Sequence, residues 1–460
     1  MSIYGKILYL QDKFTNYFSI NLSKKNSLML ILSFTFVMVI DSTIVKFLAY
    51  SRVEFSTSTN LLIFVTFSIV YAIGGILLIN SVSKYSSKYS YRLHMNLKYF
   101  HAVIMTTQIS IIGIIMTILA QMFLSNRYSL YLLQGSTYLT HISALVFTAL
   151  LVFLFIGWLK SRRNYIIILY ITSFVLISAN IILSLVYLET QFYLKTVPYI
   201  RPYPVHNLVI SLSVTPWTEV LASTFDILSL SSFLAIWIST ITLLYQYRYK
   251  VGKIRYFVLT GIPLIYYLIP FQDYFGSLFS TFILNSPIAF GVIYVLVFSA
   301  TKQIGALLFS LGFWTASSLV TNQRVQYSLL TSAIGMALLF GSIEIVTLQY
   351  KVYPPYGLVT EAFIPIGSYL LFIGIFTSAT SVSRDAQLRK EFYKAAQSQL
   401  SLLKTIGVTQ MEKEFEKKLK TVEKRTRLLE TPEESYVEED VKKIMRDVLN
   451  ELYSKGDDDK

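Results

Sequence analysis

The sequence predicts an all-α, polytopic transmembrane helix bundle of ten to twelve membrane segments, even in number, followed by a helical cytoplasmic tail. Three observations carry this prediction. Apolar stretches of about the 20 residues needed to cross a bilayer recur along the chain. Charged residues make up only 14% of it and hydrophobic residues 54%, against about 25% charged in soluble domains. Four turns between the apolar stretches hold basic residues and no acid: Lys84, Lys88, Arg92 and Lys98; Lys160, Arg162 and Arg163; Arg248, Lys250, Lys253 and Arg255; and Arg324. Lys and Arg collect in loops that stay in the cytosol. The third observation therefore predicts orientation as well as class: a multi-pass protein of the cell membrane with both termini cytoplasmic.

Residues 1–26 begin with Ile3, Ile7, Leu10, Phe14 and Tyr17 on one helical stripe, with Lys6, Asp12 and Lys13 off it. That pattern predicts an amphipathic helix lying in the headgroup plane. Lys24 and Lys25 then precede an apolar run from Ser27 to Phe47. It is longer than a signal-peptide core and no small-residue cleavage site follows, so it reads as the first span. The transmembrane domain covers 27–381, with further spans at 60–82, 99–124, 137–159, 164–187, 219–246, 256–272, 328–348 and 358–381. Residues 273–320 hold short apolar pieces interrupted at Asn285-Ser286-Pro287 and at Thr301–Gly305. Arg324 and the charged tail both require an even total. Two short crossings within 274–301 give twelve segments; a re-entrant hairpin gives ten. Interrupted segments of this kind mark transport sites in some carriers, and kinked packing helices in many other membrane proteins. The external loop 188–218 carries Pro198, Pro202, Pro204 and Pro216, which forbid a regular helix; its Tyr199, Tyr203 and Trp217 suit the interface belt.

Composition changes abruptly at Val382. Leu388, Phe392, Ala395, Gln399, Leu402 and Ile406 form one stripe, Phe415, Leu419, Val422, Thr426 and Leu429 a second, and Val437, Val441, Ile444, Val448 and Leu452 a third. Thr431-Pro432-Glu433-Glu434 starts the last of these as a capped helix. The tail, 382–460, is thus two or three amphipathic, partly coiled-coil-like helices. Single seams of this length need a cover: each other, a second copy, or a cytosolic protein partner.

Several function classes are excluded. The chain has no cysteine, which removes disulfides and thiolate chemistry. Its four histidines share no metal-ligand spacing, and neither a metal nor any other cofactor is expected. The +14 charge lies wholly in 1–381, since 382–460 hold 17 basic and 17 acidic residues. That distribution fits topology and anionic lipid rather than nucleic acid. No intramembrane protease motif is present, no catalytic residue is assigned, and the tail has no histidine to accept phosphate.

Ionisable residues inside spans are expensive and mark functional hypotheses. Here they crowd toward the outer side: Asp41 in the first span, Asp226 in the sixth, Glu344 about 6 Å from an outer end at 1.5 Å per residue, Glu361 at the start of the last span, and His141 in an outer half. Asp226 and Glu344 read as the deepest. The inner halves hold little beyond Gln108 and His101. This predicts a polar, net acidic site opening outward, with Asp41, Asp226, Glu344, Glu361 and His141 as candidate ligand-binding residues. The alternative for each is a single interhelical hydrogen bond or a side chain reaching back to the surface.

Tyr353-Pro354-Pro355-Tyr356-Gly357-Leu358-Val359-Thr360 opens the last span. Gly367-Ser368-Tyr369-Leu370, Ile373-Gly374-Ile375, Ser378-Ala379, Ser381-Val382-Ser383, Leu388-Arg389, Leu403–Gly407 and Gln410-Met411-Glu412 lead into the tail. Together, over residues 350–412, they resemble a group of uncharacterised archaeal multispanning membrane proteins with a charged cytoplasmic tail. The resemblance implies that the last span and the tail form one recurring unit; it implies no activity and no site residues. The leading functional expectation is a non-enzymatic receptor or scaffold whose outer site biases the last span. The alternative is a secondary transporter for a cation or small polar solute, and an intramembrane enzyme ranks third.

Overall fold

A computed structural model describes residues 23–51, 55–90, 97–161, 165–193, 198–202, 216–245, 300–320, 322–343 and 353–384, with isolated positions between 252 and 289 and at 410. Residues 1–22 of the interfacial helix expected over 1–26, Glu344 and nearly all of the tail lie outside the described residues.

Nine helices of at least 20 residues stand among the described residues. They are α1 (Lys24–Ser51), α2 (Thr57–Ser90), α3 (Leu97–Ser125), α4 (Leu130–Ser161), α5 (Tyr165–Tyr193), α6 (Pro216–Tyr245), α7 (Ala300–Leu319), α8 (Gln323–Ser342) and α9 (Leu358–Arg384). Eight of them are long and apolar enough to cross a membrane, as an all-α polytopic bundle requires. Their starts follow local capping chemistry. Ser23 Oγ accepts the Asn26 amide at 3.2 Å ahead of α1, Ser56 Oγ accepts the Thr59 amide at 3.2 Å ahead of α2, and Asn322 Oδ1 accepts the Arg324 amide at 2.9 Å ahead of α8.

Thr301–Gly305 does not break the chain as expected: α7 runs through it without interruption. Each of its residues has a backbone N–H, so the helix can satisfy itself there whatever the polarity of the side chains. At the other expected break, Asn285 is helical and Ser286 is not.

Contacts sort the helix ends onto two faces. The strand β1 (Tyr128–Ser129), between α3 and α4, pairs antiparallel with β2 (Tyr199–Ile200), after α5. Tyr353, ahead of α9, donates to Met122 O at 3.3 Å near the end of α3. Tyr356 donates to Asn60 O at 3.0 Å near the start of α2. These connections lie on one face. The connections from α2 to α3 and from α4 to α5, where the sequence carries basic residues, join the opposite ends of those helices.

The chain divides into two compact units. One comprises Met1–Gly157 and Tyr165–Ser378, the other Trp158–Asn164 and Ala379–Lys460. In the first, most spans bury one face and expose the other. On α3, Ile104, Gln108, Ile111, Ile115 and Ile118 are buried while Val103, Ile109, Met116 and Phe123 are exposed, a lipid-facing stripe. By contrast, α9 is buried around nearly its whole circumference. Lipid tails are as apolar as Leu, so apolar burial alone does not draw a helix into this position. Close backbone approach does. A Cβ at Gly367 would lie 2.6 Å from Leu339 N, and one at Gly335 would lie 2.5 Å from Leu371 N. Glycine on both helices lets α8 and α9 touch through their backbones and gather the dispersion contacts a side chain would prevent. In the second unit, the buried Trp158 indole donates to Gln410 Oε1 at 3.0 Å.

Candidate functional site

The turn into α9 builds the site. Tyr356 N bonds Pro354 O at 2.8 Å and Leu358 N bonds Pro355 O at 3.2 Å. Gly357 has φ of 91°, a conformation that L side chains disfavour and glycine adopts freely. The Tyr356 ring stands edge-on to Phe64, and its hydroxyl meets Asn60. Burial pushes the Tyr356 phenol upward, and the negative charge of Asp41 adds to that. A helix start here leaves amides without helical partners, and none of them faces water.

Asp41 of α1 supplies the acceptor. Its Oδ2 takes the Thr360 amide at 2.9 Å and the Thr360 hydroxyl at 2.7 Å. A carboxylate at this point is favoured both by the amide it caps and by the positive end of the helix dipole. Asp41 is fully buried and its Oδ1 has no hydrogen-bond partner.

The next residue extends the cluster to α4. Glu361 Oε1 accepts the Thr140 hydroxyl at 3.1 Å and lies 3.3 Å from His141 Nδ1. His141 Nδ1 is also 2.9 Å from Thr137 O and 3.2 Å from Thr140 Oγ1. His141 and Glu361 are 1% and 2% exposed, so the pair is closed to solvent. His141 Nε2, Thr137 Oγ1 and Ser136 Oγ are buried without a partner. One turn further along, Pro365 stands inside the continuous helix α9. Proline has no N–H, so the carbonyl of Glu361 receives no i→i+4 bond.

Of the five expected site residues, the structure joins three: Asp41, His141 and Glu361. Asp226 does not join them. It is exposed on α6, where its charge acts on Tyr187 of α5. Counting depth from a span end could not reveal which way the side chain faces. Glu344 lies outside the described residues. Among those described, no group of three or more His, Asp or Glu side chains could hold a metal ion.

The expected thinning of polar groups at mid-depth is not what the structure has. Tyr71 donates to Gln108 Oε1 at 2.8 Å, in space left open by Gly75. His101 Nδ1 stands 3.4 Å from the Tyr369 hydroxyl. Nearer the other end of α9, Thr377 donates to Ser328 Oγ of α8 at 2.9 Å. Buried or half-buried polar pairs thus accompany α9 along its length. The sequence offered Gln108 and His101 but not their tyrosine partners, because a tyrosine in an apolar stretch reads as bulk until its hydroxyl is placed.

Two other outer contacts lie apart from this cluster. Exposed Glu189 of α5 accepts from Tyr138 and, at 2.9 Å, from Gln134 of α4, and Arg127 stacks over Tyr199 at 4.5 Å. No protein-family model, no curated protein and no solved structure matches this chain.

Proposed function

We propose that this is a membrane receptor or scaffold in which the Asp41–Glu361–His141 cluster biases the enclosed helix α9 and residues 382–460 report that bias to a cytosolic partner or to a second copy. One observation carries the reading: both helices that meet at the Glu361–His141 pair lead into the tail unit. Helix α9 continues to Arg384. Helix α4 carries Thr140 and His141 at one end and Trp158, the residue bonded to Gln410, at the other. A change in the pair therefore acts on two helices whose last residues belong to the second unit. The basic turns put the tail in the cytosol and the cluster toward the outer leaflet, in a cell membrane with both termini inside.

The test needs no ligand. The chain has no native cysteine, so Val408→Cys gives full-length protein a single maleimide target. Asp41→Asn, Glu361→Gln and Thr140→Val should each change its labelling rate severalfold in folded protein. Equal rates in all three would refute the coupling.

A second reading, a secondary transporter for a cation or small polar solute, has support in the inner pairs His101–Tyr369 and Tyr71–Gln108, which extend polar contacts past mid-depth. Solute or cation flux into proteoliposomes that Glu361→Gln abolishes would favour it over the receptor.

A further inference from the structure

We propose that the groove between α2 and α3 is a binding site for one hydrocarbon chain of an anionic phospholipid, whose phosphate meets Arg127. This goes beyond the functional reading above and does not depend on it.

The groove has a volume of about 330 Å³. Its deep end lies between Ala72 of α2 and Ile112 of α3, its other end between Val65 and Phe123. Small side chains make the space: Ser68, Ala72 and Ala120 stand where large apolar residues would close it. The rim is open to the bilayer, since Ile69, Met116 and Phe123 are 52%, 60% and 65% exposed. The wall offers no free hydroxyl. Ser68 donates to Phe64 O at 2.8 Å and Tyr71 to Gln108 Oε1 at 2.8 Å. Whatever lies in the groove is therefore apolar along its length there, because a polar segment would be desolvated without a partner.

Dimensions select a lipid chain over a helix. Ile112 to Phe123 is eleven residues, about 16 Å at about 1.5 Å per residue. That is the depth of one leaflet, half of a hydrocarbon core about 30 Å thick. A volume of 330 Å³ over this length leaves a cross-section of about 20 Å². A helix about 10 Å wide with its side chains needs about 80 Å². A partner helix is too thick to enter, and a single hydrocarbon chain is not.

Bulk lipid is as apolar as the groove, so burial of the chain alone gives no preference for one lipid over another. The preference comes from the head. Arg127 follows Phe123 by four residues in a connection, 126–129, that holds no acid. Its guanidinium lies 4.5 Å over the Tyr199 ring of β2. A guanidinium stacked on a ring keeps its edge N–H groups for a phosphate, which it binds through two parallel hydrogen bonds. The other end of the chain would rest against Tyr71, whose ring stands edge-on to Phe363 of α9 at 5.0 Å. The lipid thus lies one aromatic ring away from the enclosed helix.

Native mass spectrometry of full-length protein released from bilayers of phosphatidylcholine and phosphatidylglycerol with identical chains counts the lipids retained. The unaltered chain should keep one phosphatidylglycerol in preference to phosphatidylcholine. Ala120 is exposed, so Ala120→Phe puts a ring into the groove without entering the packed core, and should lower that retention severalfold. Ala72→Leu blocks the opposite wall and serves if the first variant does not fold. Gly113→Phe, on the same helix at a position with nothing within 4 Å, should leave retention unchanged. Arg127→Gln should bring phosphatidylglycerol down to the level of phosphatidylcholine. Retention that neither groove substitution lowers overturns the chain site, and retention that Arg127→Gln does not lower overturns the phosphate contact. A second copy of the protein held in place of lipid, and lost in Ala120→Phe, would assign the groove to a dimer and overturn the proposal as well.

Discussion

Asp41, on α1, caps α9 through Thr360, a residue 319 positions away, with bonds of 2.9 Å to the amide and 2.7 Å to the hydroxyl. A cap delivered from another helix ties the fold of one span to the position of the other.

That tie should appear in a double-mutant cycle. Asp41→Ala leaves the buried Thr360 amide and hydroxyl without an acceptor and should cost about 1–3 kcal/mol. Thr360→Val should cost less. In thermal unfolding in detergent the double variant should lose clearly less than the two single losses added together. Strict additivity would mean that the contact carries no energy.

Glycine substitutions separate close packing from helix propensity. Gly367→Ala places a methyl 2.6 Å from Leu339 N and should destabilise by about 1–3 kcal/mol. Gly113→Ala on α3 meets nothing within 4 Å and should be neutral or stabilising by up to about 1 kcal/mol. Equal effects would deny the backbone contact between α8 and α9.

Trp158→Phe keeps the ring bulk and deletes the donor to Gln410. Limited proteolysis should then cut the tail near residue 410 several times faster, with the thermal transition of the spans unchanged. An unaltered cleavage rate would remove Gln410 as an anchor.

Sidedness is open to a direct measurement in a chain without native thiols. An impermeant maleimide added to intact cells should label Arg127→Cys and not Arg324→Cys. The opposite result would invert the membrane map and place the cluster near the cytosolic leaflet.

The fold class was legible because the bilayer demands long apolar runs, and two spans fell within a few residues of their helices: 358–381 was expected where Leu358–Arg384 forms, and 99–124 where Leu97–Ser125 forms. The site was legible only in part. Asp41, His141 and Glu361 stood out as ionisable groups in apolar stretches, yet nothing in their spacing shows that they meet. That meeting depends on which helix is central, and centrality is encoded by Gly335 and Gly367 on facing surfaces. Asp226 failed the same reading because depth along a span and direction around it are independent. Thr301–Gly305 looked like a break because polar side chains lower hydropathy, a property separate from backbone continuity.

Enclosure of α9 also bears on how the molecule is made. The ribosome delivers this segment after every span described around it, so the earlier helices enter the bilayer before their hub exists. Until then Asp41, His141 and Gln108 face an unfilled seat, exposed to lipid or to whatever insertion factor shields them. Chains halted before Leu358 should accordingly be marked for degradation.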